Sequence, residues 1–333
     1  GDGDSGGFSS MTASYPASYL AMSRRRPVLL VTNELPAAAQ QRLEQLAEVD
    51  VRQHRGLSQA ELVAAVGDAD GLVCLLSDTV DRDVAQAGAG RLKVVSTVSV
   101  GYDHVDTSAL RAHGIRLGYT PDVLTDATAD TTVLLALMAA RRAKEALAVV
   151  SSGQARGFSL SQGLGTQFTG KTLAIVGLGR IGLATAQRLV PLGFGRVVYA
   201  APRAQEERAR VVGAQHVELE QLLAEADLVC VCCPLNANTR GLFDRRAFAK
   251  MKPSAILVNT ARGAIVNQDD LLEALDSGCL AHAALDVTVP EPLPASHPLV
   301  LHQRCTILPH IGSATIETRN AMANLAIDNA LAG

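Results

Sequence analysis

Three polar side chains late in the chain carry the chemistry that stands out first. Arg262 lies in VNTARG, Glu291 in DVTVPEPLP and His310 in LPHIGSAT, each just after an apolar run that reads as a strand. A guanidinium, an imidazole and a carboxylate together could reduce a carbonyl that stands beside a carboxylate. The cation would hold the anion and the carbonyl, the imidazole would give a proton to the developing alkoxide, and the acid would keep that imidazole charged. Residues that follow strand C-terminal ends in an open parallel sheet face its ligand crevice, which is where such a set is needed. Taken singly, each also reads as a turn cation, a solvated acid or a loop histidine.

A carbonyl reduction also needs a hydride donor, and the chain carries a place for one. Gly177-Leu178-Gly179-Arg180-Ile181-Gly182 fills the pattern G-x-G-x-x-G between an apolar strand and a helical pattern. Gly177 permits the tight turn, Gly179 lets backbone approach a pyrophosphate, and Gly182 allows close packing of helix on strand. About 20 residues further on, NAD enzymes carry an acid for the ribose hydroxyls. RVVYA ends instead on Ala200, followed by Ala201, Pro202 and Arg203. No carboxylate there repels a 2'-phosphate and a guanidinium can pair with one, so NADPH is expected ahead of NADH.

The elements that must position these groups alternate in α/β fashion. PVLLVT, GLVCLL and KVVSTVS come first, with an amphipathic helix through Leu43 and Leu46. A long apolar stretch from about Thr128 to Val150 reads as one buried helix at a domain boundary, and the Gly/Ser/Gln-rich segment after it as an exposed arm. KTLAIVG, RVVYA, DLVCVCC, AILVN, LAHAALDV and CTILPH then supply six candidate strands, enough for a dinucleotide-binding sheet. A last helix, roughly Thr315 to Leu331, follows that completed sheet and is expected to pack back on the first unit. The fold class is therefore α/β, with two doubly wound parallel-sheet domains.

Composition bounds the alternatives. A length of 333 residues favours two cores, and 48% apolar with 19% charged residues describes a globular chain. A net charge of −3 offers nucleic acid or an acidic membrane surface little to hold, and no apolar run approaches the roughly 20 residues of a membrane span. Residues 1–23 read as a disordered leader without the charged start and apolar core of a secretion signal. Cytoplasmic residence is the expectation; the Ser-rich half of that leader, followed by Arg24, Arg25 and Arg26, keeps organelle targeting as the alternative. Cys230, Cys232 and Cys233 fall in an apolar strand, where buried thiols are expected rather than metal ligands.

GLGRIG, VNTARG, LDVTVPEPLP, the dipeptide at His297 and LPHIGSAT, in this order, resemble the D-2-hydroxyacid dehydrogenase family. STVSVGYDHVD and GYTPDVLTDATAD are similar to its glyoxylate/hydroxypyruvate reductase branch, and the likeness runs from about Pro27 to the end. The resemblance implies that Arg262 binds the substrate carboxylate and carbonyl, that His310 donates the proton, and that Glu291 hydrogen-bonds its imidazole. It places Val100 and Gly101 at the substrate carboxylate, Gly312 and Ser313 beside substrate and cofactor, and Arg180 and Ile181 at the pyrophosphate. Asp286 would face the nicotinamide amide, Pro202 and Arg203 the adenosine ribose, and Thr260 and Pro234 the cofactor. It further implies a flavodoxin-like substrate domain made of 24–123 and 316–333, a Rossmann-type cofactor domain of 124–315 inserted in it, and a homodimer.

This sequence departs from the family pattern in places. The arm between Gly153 and Gly165 lacks the usual tryptophans, with Ala155 and Phe158 in that stretch; Asp130 replaces a longer acid, and Pro234 a small hydroxyl residue. A nucleotide-sensing corepressor of the same fold is the alternative of another class.

Overall fold

The computed structural model describes residues 25–155 and 157–333, so the expected leader lies outside the described residues. Among these, β1 (Val28–Val31), β2 (Asp50–Gln53), β3 (Gly71–Cys74), β4 (Val94–Thr97) and β5 (Arg116–Gly118) form a parallel sheet in the order β2-β1-β3-β4-β5. A second parallel sheet holds β6 (Thr172–Val176), β7 (Arg196–Ala200), β8 (Ala214–His216), β9 (Leu228–Val231), β10 (Ile256–Asn259), β11 (His282–Leu285) and β12 (Cys305–Ile307). Its order is β12-β11-β10-β9-β6-β7-β8. The first order is that of flavodoxin-like sheets; the second is the dinucleotide-binding order with one further strand at an edge. The central strands β1, β3, β4, β9 and β10 are buried along their whole length, as parallel strands covered on both faces must be.

The sheets are wider than the apolar runs suggest. β2, β5 and β8 are edge strands with half-exposed residues, and Asp50, Arg52, Arg116, Gln215 and His216 break any apolar signal. The second sheet accordingly has a seventh strand, β8, in addition to the six expected. Cys230 lies on β9 and packs with Leu173, Ile175 and Val258, whereas Cys232 and Cys233, expected in the same strand, follow its end, and Cys233 packs on the opposite face with Val229 and Val231.

The expected single helix from Thr128 to Val150 is two, Thr125–Ala140 and Ala143–Ser151. Arg142 between them is left-handed at φ 52, and the amide of Thr166 takes the Ala140 carbonyl at 2.8 Å, which ends the first helix. The first helix lies against β10 and β11 yet leaves Leu134 and Leu137 exposed, and the second buries no residue at all. Among the described residues nothing encloses this apolar stretch.

The last helix, Ile316–Ala332, starts on Thr315, whose hydroxyl accepts from the amide of Thr318, and packs on β3, β4 and β5. Met322, Ala323, Ala326 and Ile327 join Leu29, Val31, Val73 and Val94 in one core. The chain therefore leaves the five-stranded sheet after Tyr119, completes the other, and returns to the first. No helix of the described residues is long and apolar enough to cross a membrane.

Candidate active site

β6 and β9 are adjacent in the sheet but their following connections run in opposite directions, which opens a crevice at their C-terminal ends. The Gly-rich turn lies there. Gly177 sits at φ +95, where a Cβ would come within 2.8 Å of the Cys233 backbone. At Gly182 a Cβ would meet the Gly177 carbonyl oxygen at 2.2 Å, so helix and strand pack as closely as backbone allows. A Cβ at Gly179 would meet no atom within 4 Å, because that position looks into the cleft at the N-terminus of the helix Arg180–Leu189. Free helix amides beside open space suit a pyrophosphate, so these residues fit a dinucleotide. Arg180 at the cleft is paired with Asp122 of the crossing segment.

The cleft, about 630 Å³, is lined from the cofactor-side sheet by Gly179, Arg180, Ile181, Pro234, Thr260 and Arg262, and from the other sheet by Val100 and Gly101. Asp286, His310, Gly312 and Ser313 close its inner end. The Thr260 hydroxyl lies 2.8 Å from that of Thr132 on the helix behind it. Pro202 and Arg203 follow β7 and are exposed; they stand outside the lining of this cleft.

Arg262 is held by contacts that the sequence did not signal. Asn259, fully buried at the end of β10, accepts from the Ala261 amide at 3.0 Å and donates to the Arg262 carbonyl at 2.9 Å. The Arg262 Nε donates to Asp103 Oδ1 at 2.9 Å, and Nη1 to the Ala261 carbonyl at 2.8 Å. Its Nη2 passes so close to Gly101 that a Cβ there would lie 2.0 Å away, which is why the loop needs glycine at this point. Ser99 Oγ donates to the Gly101 carbonyl at 2.7 Å and fixes the same loop. Among the described residues, the amides of Val100 and Gly101 donate to no protein acceptor.

His310 Nδ1 lies 2.6 Å from Glu291 Oε2. Burial pushes the Glu291 carboxyl up, but the hydrogen bond and charge of His310, the Thr288 amide and Arg262 together hold it below the usual range. Glu291 is then an acceptor only, Nδ1–H is the donor, and Nε2 is the atom left to face a substrate. A side-chain amide braces the Glu291 loop: Gln268 donates to the Val289 carbonyl at 2.6 Å and accepts from its amide at 2.7 Å.

Asp286, 1% exposed, has both carboxylate oxygens taken by the amides of Ile311 at 2.8 Å and Gly312 at 2.7 Å. Burial raises its carboxyl and those amides lower it, leaving it above the usual range. Asp286, which the resemblance places opposite the nicotinamide amide, lines the cleft, and its carboxylate also holds the loop that carries His310. A second cavity, about 810 Å³, lies on the far side of Arg262 and His310 and is lined by Glu291, Val289, Pro290 and Leu293.

The family profile described as D-isomer specific 2-hydroxyacid dehydrogenase, NAD binding domain, matches residues 133–312. The chain belongs to the D-isomer specific 2-hydroxyacid dehydrogenase family. A human glyoxylate reductase/hydroxypyruvate reductase is 45% identical to it over 315 residues, covering 92% of this chain and 96% of that one. Among solved structures, the TT0316 protein from Thermus thermophilus is similar at TM-score 0.85 and 44% identity, over 92% of this chain and 96% of that one. An NADPH-dependent glyoxylate/hydroxypyruvate reductase from Sinorhizobium meliloti, in complex with NADP and malonate, is similar at TM-score 0.80 and 31% identity, over 91% and 92% of the two chains. This family member is a nicotinamide-dependent dehydrogenase with two parallel-sheet α/β domains.

Proposed function

We propose that this chain reduces small 2-oxo acids, glyoxylate and hydroxypyruvate, to glycolate and D-glycerate with NADPH. The observation that carries the reading is that Arg262 and the His310–Glu291 pair converge on the cleft into which Gly179 opens. The names of the human and Sinorhizobium meliloti relatives favour these substrates over other 2-oxo acids.

Reduced nicotinamide supplies the hydride when bound at the switch-point crevice. Arg262 binds the substrate carboxylate and carbonyl, and the amides of Val100 and Gly101, without an acceptor among the described residues, grip the carboxylate. His310, protonated, gives its Nε2 proton to the alkoxide oxygen while Glu291 at Nδ1 stabilises the charged ring. Gly312 and Ser313 border the same space and Thr260 and Pro234 the cofactor side, and Pro202 and Arg203, exposed after β7, take the adenosine ribose end. Asp286 faces the nicotinamide amide from the cleft wall and holds the loop of His310.

We assign 24–123 with 316–333 to the substrate unit and 124–315 to the cofactor unit, with closure at the two crossings excluding water. The exposed apolar residues Leu134, Leu147, Val150, Phe158 and Leu160 fit a homodimer built on the paired helices and the arm. The six cysteines are all free, Cys279 among them at the surface, which fits a reducing cytoplasm.

The test is the initial rate of NADPH and NADH oxidation at 340 nm with glyoxylate, hydroxypyruvate and pyruvate. Turnover of glyoxylate or hydroxypyruvate, faster with NADPH, supports the reading; no oxidation with any pair overturns it.

A further inference from the structure

Asp103 joins the two halves of the cleft at the point where substrate must bind. It stands in the loop after β4, in the five-stranded sheet, and its partner Arg262 stands after β10 in the seven-stranded one. Oδ1 accepts from Nε at 2.9 Å, the Arg262 side chain is 21% and that of Asp103 29% exposed at the rim of the cleft, and Asp103 lines both cavities that meet at Arg262 and His310. Nη1 is anchored to the Ala261 carbonyl at 2.8 Å, so two contacts on different atoms fix the guanidinium plane. A guanidinium has five N–H donors, and those on Nη2, beside Gly101, stay free for a ligand. Without the acceptor at Nε, the long side chain could rotate about its terminal torsions and the Nη2 edge would leave the Val100–Gly101 loop.

His104, next in sequence, keeps Asp103 in place from behind. Burial holds its imidazole below the usual value, and its Nε2 meets the Thr97 hydroxyl at 2.9 Å, which in turn lies 2.8 Å from Ser99 Oγ. The Ser99 hydroxyl donates to Gly101, so one hydrogen-bonded chain fixes both the loop that carries Asp103 and the glycine that Arg262 crosses.

We propose that Asp103 is the positioning residue for Arg262: its carboxylate, reaching across the cleft, aims the guanidinium at the carboxylate of a 2-oxo acid. It touches neither substrate nor cofactor in this role. The proposal rests on the reading of Arg262 as the anion site of the reductase.

The experiment compares Asp103→Ala with Asp103→Asn, which keeps an oxygen acceptor at the same place. Steady-state rates with glyoxylate and calorimetric binding of oxamate, an unreactive analogue, to the NADPH-loaded protein are read side by side, and NADPH affinity reports on the fold. Asp103→Ala is expected to lower kcat/KM for glyoxylate and weaken oxamate about 10- to 100-fold, the size of a charge-assisted hydrogen bond, with NADPH affinity unchanged. Asp103→Asn is expected to restore most of that loss. An Asp103→Ala variant with unaltered oxamate binding overturns the proposal, and so do equal losses in both variants. Because oxamate binding needs no turnover, Asp103-dependent binding without glyoxylate reduction would sink the reductase reading and leave this one standing.

Discussion

The backbone of Asp286 and the side chain of Asp286 both hold the turn that presents His310. The Asp286 carbonyl accepts the His310 amide at 2.8 Å, and its carboxylate accepts the next two amides. His310 itself is left-handed at φ 55, a conformation that a residue with a Cβ adopts at a cost and that needs its surroundings to impose it. Asp286→Asn keeps one acceptor but turns an NH2 group toward an amide donor. We expect a loss of about 1–3 kcal/mol of stability, the cost of a buried group left without a partner. Turnover should fall, since the lost contacts hold the loop of the proposed proton donor, and a parallel fall in NADPH affinity would support the proposed contact of Asp286 with the nicotinamide amide. Denaturant melts and steady-state kinetics check both; an unaltered turnover would show that His310 is aimed by other means.

His310 and Glu291 should separate in what their loss does. His310→Ala is expected to lower turnover about 10²- to 10⁴-fold with cofactor binding intact, the usual share of a general acid. Glu291 lies below the ordinary carboxyl value of 4.5 in the folded chain. Its interactions therefore stabilise the fold fully above 4.5 and fade as pH falls through its lowered folded value. Glu291→Gln removes that term, so the variant should differ most from the parent near neutral pH and converge with it in strong acid. Urea midpoints measured across the acid range would show convergence, and a constant gap would refute the assignment.

Two glycines of the same turn should fail in different ways. A methyl group at Gly182 would lie 2.2 Å from the Gly177 carbonyl, so Gly182→Ala forces helix and strand apart at a cost of about 1–3 kcal/mol. At Gly179 it would meet nothing within 4 Å of protein, so Gly179→Ala should melt near the parent and lose affinity for NADPH. Thermal melts with and without NADPH distinguish the two, and equal melting losses would contradict the open space at Gly179.

What was legible in the sequence follows from locality. Apolar runs such as that of β9, buried on both faces, announce themselves, whereas β2, β5 and β8 are short edges whose polar residues carry no such pattern. The break at Arg142 was hidden because it depends on Thr166, which returns from the far end of the arm to take the Ala140 carbonyl. Arg262 and His310 could be singled out by type and by position after strands. Asp103 could not, because its partner is 159 residues away and only the meeting of the two sheets brings them together. Gln268 escaped for a similar reason: it acts on the backbone of Val289, and the amide side chain gives no hint of that target.

The proposed NADPH preference turns on the side chain of Arg203. β7 ends on Ala200, and the segment after it exposes Pro202 and Arg203; among the described residues the Arg203 guanidinium makes no hydrogen bond or ion pair. It is therefore available to a 2'-phosphate without first giving up a partner, and no acid stands at Ala200 to oppose that charge. Arg203→Ala should weaken NADPH about 10- to 100-fold and leave NADH almost unaffected, because only the phosphorylated ribose can use the cation. Ala200→Asp should act in the opposite sense, placing a carboxylate where ribose hydroxyls can be bonded and a phosphate repelled. Fluorescence titration of both nucleotides against both variants reads the two effects. If Arg203→Ala weakens NADPH and NADH alike, the side chain supports the loop and not the phosphate, and the proposed NADPH preference loses its basis in this residue.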